Sequence, residues 1–557
     1  MKSRVSRYML HGLLLIAGGG IVSLSQTCCT FRIDLTADQR YSIHPATKAL
    51  LSALDEEMYI EVYLAGDLPT GCKQLRRAIQ ELLAECNLYA HHKLHYQFIN
   101  LDKAPDEQRK SCLSKLAIHG IQPTNLYIQE KGQRIEKLIF PGALLTYKDQ
   151  ERGVLLLKGS KMASPAQMIN QAMEGLEYEL ANAIEQLVHP QRKQVALLRG
   201  HGAPDLKQLS GLMRALKEHY VLHNVDFSAQ SVLANYDALL ITKPQQPFSE
   251  DEKYVLDQYL MQGGKILFFL DRLRISMEHL RQHAAFAFPL DVGLDDQLFK
   301  YGVRINPDLV QDLCSGVYPV VIGHLGNQPQ FKLLPWPFFP LLSHFPNHLV
   351  TKNMDVLAPQ FVSSIDMVQT PGVTHTPLVF TSRYSRRLGA PVHVDLEVLR
   401  QPPKPAHYDH GHIPLAYLLE GTFTSLYKNR FLPEGVDSAA FMPESQSTKL
   451  LVFASGNIVL NSLDPHKQQP FPWGYDPFLK QHFANQDFVC NTLDYMLNED
   501  GLINIKHKTL QIRLLDQVRL AHHRLWWQLM NLFIPMLLLG LLGMVWHYSH
   551  KRVYTRF

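Results

Sequence analysis

The sequence predicts an α/β protein tethered to a membrane, and three observations lead to this prediction. Short apolar runs typical of strands alternate with helical patterns through most of the chain, which indicates sheets covered by helices. Apolar residues make up 46% of the 557 residues, enough for packed cores. Two uncharged apolar stretches, residues 8–25 and 526–548, flank this region and predict an anchor at each terminus.

A first domain is predicted over residues 31–160. Its elements are, in order, a helix at 45–54, a strand at 58–64, a helix carrying Leu75, Ile79, Leu82, Leu83 and Cys86, a strand at 94–101, a helix at 106–118 and a strand at 125–129. Pro123 stands directly before a hairpin whose turn is predicted at 131–132. This order resembles a thioredoxin-like fold. The first long helix opens with Cys72 and lacks a Cys-x-x-Cys motif, so dithiol exchange has no partner thiol.

A second α/β region is predicted over residues 161–510. After a long helix at 167–188, strands at 194–198, 221–225, 238–242 and 265–270 alternate with helices at 205–219 and 249–261. Alternation of this kind predicts a parallel, doubly wound sheet, an arrangement that class I amidotransferase-like sheets share. Further sheet strands are predicted at 415–419 and 450–454, and a helix at 487–497 closes the region.

The two terminal segments are predicted at residues 1–30 and 511–557. The 23 residues of 526–548 carry no charge, and about 20 helical residues cross a bilayer. The shorter stretch at 8–25 is expected to be a retained helix, with a cleaved signal peptide and a lipidated Cys28 as alternatives. Basic residues before residue 8 are expected to stay cytoplasmic. The main part of the chain then lies outside the inner membrane of a bacterium, in the periplasm.

Charge and cysteine content exclude several classes of protein. A formal net charge of +4 over 557 residues provides no basic surface for nucleic acid. Seven cysteines are too few for a disulfide framework. One disulfide among Cys72, Cys86 and Cys112 is left open as an expectation. Cys314 and Cys490 are interpreted as packing residues.

The loop after the predicted strand 194–198 is the best candidate for ligand binding. Gly200, His201, Gly202 and Asp205 stand between that strand and the next predicted helix, where free amides and a helix dipole converge in α/β sheets. The loop has no Gly-Lys-Ser or Gly-Lys-Thr sequence, so it is not a Walker motif. The alternative is a turn with Asp205 near the helix N-terminus.

Catalytic and metal-binding groups are not predicted. An amidotransferase-like sheet carries a nucleophile at a strand-to-helix elbow, but the turn at 243–247 reads Lys-Pro-Gln-Gln-Pro. Residues 407–412 hold three histidines and one aspartate, but the Pro-flanked segment is interpreted as an exposed loop, where metal binding would be adventitious and not catalytic. We assign no catalytic residues, no metal and no cofactor.

Several stretches together resemble the auxiliary, substrate-binding-like component of gliding-motility-associated ABC transporters, the GldG family. They are residues 34–42, 60–64, 301–307, 418–423 and 427–430, together with Gly66, Pro69, Gly71, Leu75 and Arg76. The resemblance implies an extracytoplasmic protein anchored at both ends, with a flavodoxin-like domain related to one in ciliary transport proteins. It also implies an ABC permease and a separate ATPase as partners. The family has no established catalytic residues to carry over.

The sequence therefore favours a non-enzymatic accessory component of an ABC transporter that binds a small ligand or an envelope partner. Two alternatives remain open at this point. One is an envelope hydrolase or amidotransferase relative that uses the His201 loop. The other is a structural envelope scaffold without a small ligand.

Overall fold

The computed structural model describes residues 42–554, except for residues 102–104, 122, 131–132, 158–164, 190–191, 229–231, 276–284, 326–327, 353, 397–398, 400–402, 435–437, 465–466, 468, 498–504 and 506–522. The chain divides into two compact units, Met1–Thr509 and Leu510–Phe557. The anchor predicted at residues 8–25 and the Cys28 alternative lie outside the described residues.

The helices and strands follow the predicted alternation in most of the chain. The helices are α1 (Pro45–Ser52), α2 (Thr70–Tyr89), α3 (Asp106–Ile118), α4 (Pro165–Val188), α5 (Ser210–His219), α6 (Glu250–Met261), α7 (Asp295–Tyr301), α8 (Asn485–Leu497) and α9 (Arg524–Tyr554). The first twelve strands are β1 (Met58–Val62), β2 (Leu94–Phe98), β3 (Thr124–Glu130), β4 (Gln133–Ile139), β5 (Gly142–Tyr147), β6 (Gln150–Leu155), β7 (Gln194–Arg199), β8 (Val221–Asp226), β9 (Ala238–Thr242), β10 (Lys265–Phe269), β11 (Leu273–Arg274) and β12 (Ala285–Pro289). The remaining strands are β13 (Val303–Ile305), β14 (Asp308–Asp312), β15 (Ser315–Leu325), β16 (Gln328–Pro340), β17 (Ile365–Met367), β18 (Val373–Phe380), β19 (Ser385–Gly389), β20 (Val392–Val394), β21 (Pro414–Gly421), β22 (Thr448–Phe453), β23 (Tyr475–Asp476) and β24 (Gln481–His482).

The N-terminal part is built on a four-stranded sheet in the order β2-β1-β5-β6. β1 and β2 are parallel, whereas β5 is antiparallel to β1 and β6 is antiparallel to β5. One face is covered by α2 and α4, which pack Leu83 and Ile184 into the same core as Ile60 of β1. On the other face Leu116 of α3 packs against Leu144 of β5. α4 belongs to this core although it follows residue 160.

The antiparallel half of this sheet was not predicted. The hairpin expected after Pro123 exists as β3–β4, but it forms a two-stranded sheet of its own. The antiparallel strands of this sheet come later in the chain: β5 (Gly142–Tyr147) pairs with β1, and β6 pairs with β5. The apolar run in β5 has no period-two alternation to identify it as a strand.

Two expectations about cysteines need correction. In the part of the chain that the structure describes, no two cysteines form a disulfide, so the pair left open among Cys72, Cys86 and Cys112 does not form. Cys314 is exposed in the connection between β14 and β15, so it is not a packing residue.

The larger sheet has seven strands in the order β8-β7-β9-β10-β22-β21-β18. The first five are parallel, and β21 and β18 continue the sheet in antiparallel pairing. Both faces are covered, since Leu216 of α5 and Phe488 of α8 pack on one face, and Leu260 of α6 and Leu298 of α7 pack on the other. A parallel sheet buried on both faces explains the continuous apolar strands of this region.

A half-buried carboxylate connects the helices of the two sheets. Asp494 of α8 accepts hydrogen bonds from the hydroxyls of Tyr178 of α4, at 3.0 Å, and of Tyr220 at the end of α5, at 2.5 Å. Burial and the Asp494 charge raise the pKa of both tyrosines well above the usual value, so both remain hydroxyl donors. This contact joins α4 of the N-terminal part to α5 and α8 beside the larger sheet, all within the same compact unit.

The remaining strands form small sheets beside the large one. They pair as β11-β12-β20, β13-β17, β14-β19, β15-β16 and β23-β24. Trp336 of β16 is 1% exposed and lies 4.9 Å from the ring of Tyr318 and 4.5 Å from that of Phe339, centre to centre. This aromatic cluster supports one side of the β15–β16 hairpin.

In the second unit, α9 is apolar from Leu525 to Tyr548 and contains Pro535. A stretch of 25 residues within it, Arg524–Tyr548, is long and apolar enough to cross a membrane. At about 1.5 Å per residue this helix exceeds the ~30 Å hydrocarbon thickness, which agrees with the C-terminal anchor predicted from the sequence.

Candidate functional site at the carboxyl edge of the large sheet

The loop predicted to bind a ligand lies at the carboxyl edge of the five parallel strands. Loops after β7, β9, β10 and β22 meet there because parallel strands end at the same edge. β7 lies between β8 and β9, so successive strands are added on one side of β7 first and on its other side afterwards. In α/β sheets this switch point is the usual place for a ligand.

The backbone of the predicted loop is held in an uncommon conformation. Gly200, His201 and Gly202 have φ angles of 98°, 51° and 68°, all in the left-handed region. The His201 carbonyl accepts hydrogen bonds from the amides of Gln245, at 2.7 Å, and Gln246, at 2.9 Å. These bonds join the loop after β7 to the loop after β9. The switch point is therefore bridged by backbone hydrogen bonds.

The His201 side chain is also engaged. Its Nε2 lies 3.1 Å from Oε2 of Glu252, and its ring stacks on Phe248 with a centre-to-centre distance of 4.0 Å. Glu252 completes a capping box with Ser249 at the start of α6. Burial opposes ionisation of Glu252, but hydrogen bonds from Ser249 and His201 outweigh it and lower its pKa. His201 is thus positioned by α6, with 12% of its side chain exposed.

Asp205 does not share this environment. It is exposed in a turn where the Gln208 amide donates to its carbonyl, and α5 begins only at Ser210. The prediction that the loop opens directly into a helix at 205 is therefore wrong. The turn separates Asp205 from the helix N-terminus, so the expected dipole does not act at that residue.

Sequence reasoning missed a second set of polar residues at the same edge. Lys243 Nζ lies 3.3 Å from Asp271 Oδ2 and donates to Asn457 Oδ1 at 2.5 Å. Asp271 Oδ1 also accepts from the Gly456 amide at 2.6 Å. Lys243, Asp271 and Asn457 each follow a parallel strand closely, which was the signal available in the sequence. The three side chains join the loops after β9, β10 and β22 and satisfy one another's charge and hydrogen bonds.

The hydrolase alternative relied on a nucleophile near this edge. Cys314 follows β14, outside the seven-stranded sheet. Although Cys314 is exposed as a residue, desolvation of its sulfur by nearby atoms and the neighbouring Asp312 carboxylate raise the pKa of its thiol. A raised pKa reduces the thiolate fraction, so this environment does not activate a nucleophile.

The histidine-rich segment at 407–412 folds over β14 and β19. Tyr408 is buried with its hydroxyl 3.4 Å from Gln311 Oε1, whereas His410 is exposed with Nδ1 2.8 Å from Asp409 Oδ1. His412 lies 5.5 Å from the ring of His344. Within the described residues, no three His, Cys, Asp or Glu side chains are grouped so as to hold a metal ion.

A separate surface depression lies along α5. It has a volume of about 530 Å³ and is lined by Leu206, Ser210, Met213, Arg214, Lys217 and Glu218. It starts one residue after Asp205 and does not include His201. The exposed part of the predicted loop and this depression are therefore neighbours in sequence.

Comparison with known proteins gives matches over most of the chain. Residues 37–146 match a domain of unknown function, DUF7088. An uncharacterized protein of Borreliella burgdorferi is 20% identical over 500 residues, covering 87% of this chain and 86% of its own. The mmIFT52 N-terminal domain aligns with a TM-score of 0.31 at 12% identity, over 55% of this chain and 99% of its own. At this TM-score the likeness carries no argument about fold.

The most extensive family match covers the seven-stranded sheet and the small sheets beside it. Residues 192–492 fit the family model for the auxiliary protein of an ABC-type uncharacterized transport system. That range begins just before β7 and ends within α8, so it contains every strand of the seven-stranded sheet. Since it spans more than half of the 557 residues, the chain belongs to this ABC transporter auxiliary family.

Proposed function

We propose that this chain is a non-enzymatic, extracytoplasmic accessory component of an ABC transporter of the gliding-motility type, working with a separate permease and ATPase. Family membership over residues 192–492 carries the proposal. The apolar helix Arg524–Tyr548 supports attachment to the membrane in which a permease resides. Retention of residues 8–25 as a second anchor, and an inner-membrane protein with a periplasmic main part, belong to the same proposal.

The two α/β parts are proposed to be a thioredoxin-like domain and a flavodoxin-like domain. The order β2-β1-β5-β6 with parallel β1 and β2 supports the first assignment. The parallel order β8-β7-β9-β10-β22 supports the second, since it corresponds to 2-1-3-4-5 in chain order. Cys72, at the start of α2, is 1% exposed and burial raises its pKa. A buried, protonated thiol favours a structural role for this domain.

Co-purification tests the transporter role. The full chain, expressed in its native host with an affinity tag, is expected to hold an ABC permease and an ATPase through affinity purification in mild detergent. A variant that lacks residues 524–557 is expected to lose most of the bound permease, because it lacks α9. Recovery of the full chain without permease, from cells in which the permease is present, would contradict the proposal.

We further propose that the Gly200–Asp205 loop contributes to binding of a small ligand or an envelope partner. Gly202 and Asp205 are exposed, whereas His201 is held by Glu252 and Phe248 and sets the loop's shape. Binding contacts would then come from Asp205 and the loop backbone, with the imidazole in a supporting position.

Two single substitutions separate these roles. His201→Ala is expected to lower the free energy of unfolding by roughly 1–2 kcal/mol, since it removes a partly buried hydrogen bond and a ring contact. Asp205→Ala is expected to change stability by less than about 0.5 kcal/mol, because the side chain is exposed. Urea unfolding measures both. If Asp205→Ala also leaves transport by the assembled complex unchanged, the Asp205 side chain makes no binding contact.

A further inference from the structure

The β15–β16 hairpin has an inner face that belongs to the core. Tyr318 pairs with Leu334, and Val320 pairs with Lys332 across the hairpin. Tyr318 and Val320 are buried, and Trp336, two residues beyond Leu334, lies in the same aromatic cluster. This face is fixed against the rest of the larger unit.

The opposite face is apolar as well, which is unusual for a surface hairpin. Phe331 pairs with Val321 and Leu333 pairs with Pro319, so these residues share the outer face. Phe331 is 64% exposed and Leu333 is 45% exposed. Ile322, beside the irregularity in the register, is 53% exposed. A hairpin with one face in water normally carries polar side chains on that face.

The charge of the hairpin points to the kind of surface it meets. Residues 315–340 contain no aspartate or glutamate, and their one lysine or arginine, Lys332, pairs with Val320 and so does not belong to the outer face. An anionic phospholipid surface would therefore meet no like charge on this element. α9 of the same chain is long and apolar enough to enter a bilayer, so a lipid surface is available to the protein in its working state.

We propose that the outer face of the β15–β16 hairpin, formed by Phe331 and Leu333, lies in the interfacial layer of the membrane that holds α9. The inference rests on the membrane attachment in the proposed function. The hairpin cannot enter the hydrocarbon core, because the backbone groups on the outer edges of a two-stranded sheet need water or headgroups as partners. Apolar side chains reach roughly 5–10 Å into the boundary layer in such an arrangement.

Depth-dependent fluorescence quenching tests the proposal with the full chain. Phe331 is replaced by a genetically encoded, polarity-sensitive fluorescent amino acid, and the protein is placed without permease in nanodiscs of zwitterionic lipid with about one third anionic lipid. Lipids that carry a spin label near the headgroup act as the quencher. The control carries the same fluorophore at Phe431, which is 97% exposed in a loop outside the hairpin. Both positions are exposed, so neither replacement disturbs the core.

The expected result is a blue-shifted emission at position 331 and quenching at least threefold stronger than at position 431. Stable incorporation into the disc separately reports that the anchor is inserted. Equal quenching at the two positions in incorporated protein would overturn the proposal while leaving the transporter role intact. If the emission at position 331 shifts to the blue only after the permease is added to the nanodiscs, the face binds a protein partner and the proposal is wrong. If the blue shift persists when the protein is held in lipid-free amphipol, the face binds a second copy of the chain and the proposal is also wrong.

Discussion

Replacing Asp257 by alanine is expected to lower the free energy of unfolding of the larger unit by about 3–5 kcal/mol. Asp257 lies on α6 and is 0% exposed. Its carboxylate accepts from Ser425 Oγ at 2.6 Å, the Leu426 amide at 2.9 Å, Tyr301 OH at 2.9 Å and Gln258 Nε2 at 3.1 Å. Removing the carboxylate leaves these donors buried without an acceptor, and each such donor costs about 1–3 kcal/mol.

Asp251→Ala is the matched control, because Asp251 is exposed on the same helix. It is expected to change stability by less than about 0.5 kcal/mol. Urea unfolding of the full chain in detergent, followed by the fluorescence of buried Trp336 and Trp473, measures both. Equal losses for the two variants would show that the Asp257 network does not stabilise the junction of α6, α7 and the segment after β21.

The Asp257 network also predicts a pH dependence. Burial raises the pKa of Asp257, although the hydrogen bonds from Ser425, Leu426, Tyr301 and Gln258 oppose this. Between the ordinary pKa and the raised one, the folded chain holds a proton that the unfolded chain has lost. Stability from this group therefore falls as pH rises through that window. The difference in unfolding free energy between wild type and Asp257→Ala should therefore become smaller as pH rises through that window.

Gly421→Ala is expected to destabilise the larger unit by about 3 kcal/mol or more. Gly421 ends β21 with a φ of 137°, a conformation that residues with a Cβ rarely adopt. A Cβ at this position would lie 2.1 Å from the carbonyl oxygen of Gly372, which is backbone and cannot rotate away. The edge strand β18, which starts at Val373 and pairs with Gly421, would have to shift.

Gly389→Ala is the control for the same chemical change in a strand. Gly389 is exposed at the end of β19, its φ is not positive, and a Cβ added there would have no atom within 4 Å. A change of less than about 1 kcal/mol is expected, since the substitution mainly restricts the unfolded chain. Thermal melting of both variants in detergent distinguishes them. If Gly421→Ala and Gly389→Ala have the same melting temperature, the close approach of Gly421 to Gly372 is not maintained in solution.

Gly421 has a structural role that the resemblance in sequence does not explain. Residues 418–423 resemble a family, but the resemblance gives no physical reason for any one of them. In the fold, Gly421 allows the close approach to Gly372, and Phe423 is 1% exposed beside Tyr301. These residues position Ser425 and Leu426 on Asp257. The similarity therefore falls on residues that hold the fold together.

The β15–β16 hairpin shows why part of the fold was not predicted. Pro319, Pro335, Pro337 and Pro340 lie within its strands, and proline normally argues against a strand because it cannot donate to the ladder. The hairpin tolerates them because its strands pair with each other in a two-stranded sheet, where each strand has an outer edge. Local sequence contains no signal for that arrangement.

Local pattern was sufficient for the α/β class, for the parallel strands β7 to β10 and for the membrane-length helix at the C-terminus, since periodicity and uninterrupted apolar length are properties of neighbouring residues. The tertiary structure alone decided that β22, about 180 residues after β10, completes the parallel set. It also decided that Lys243 meets Asp271 and that His201 meets Glu252. Such contacts depend on which strands pair and in what register, and that choice is made by packing between distant segments.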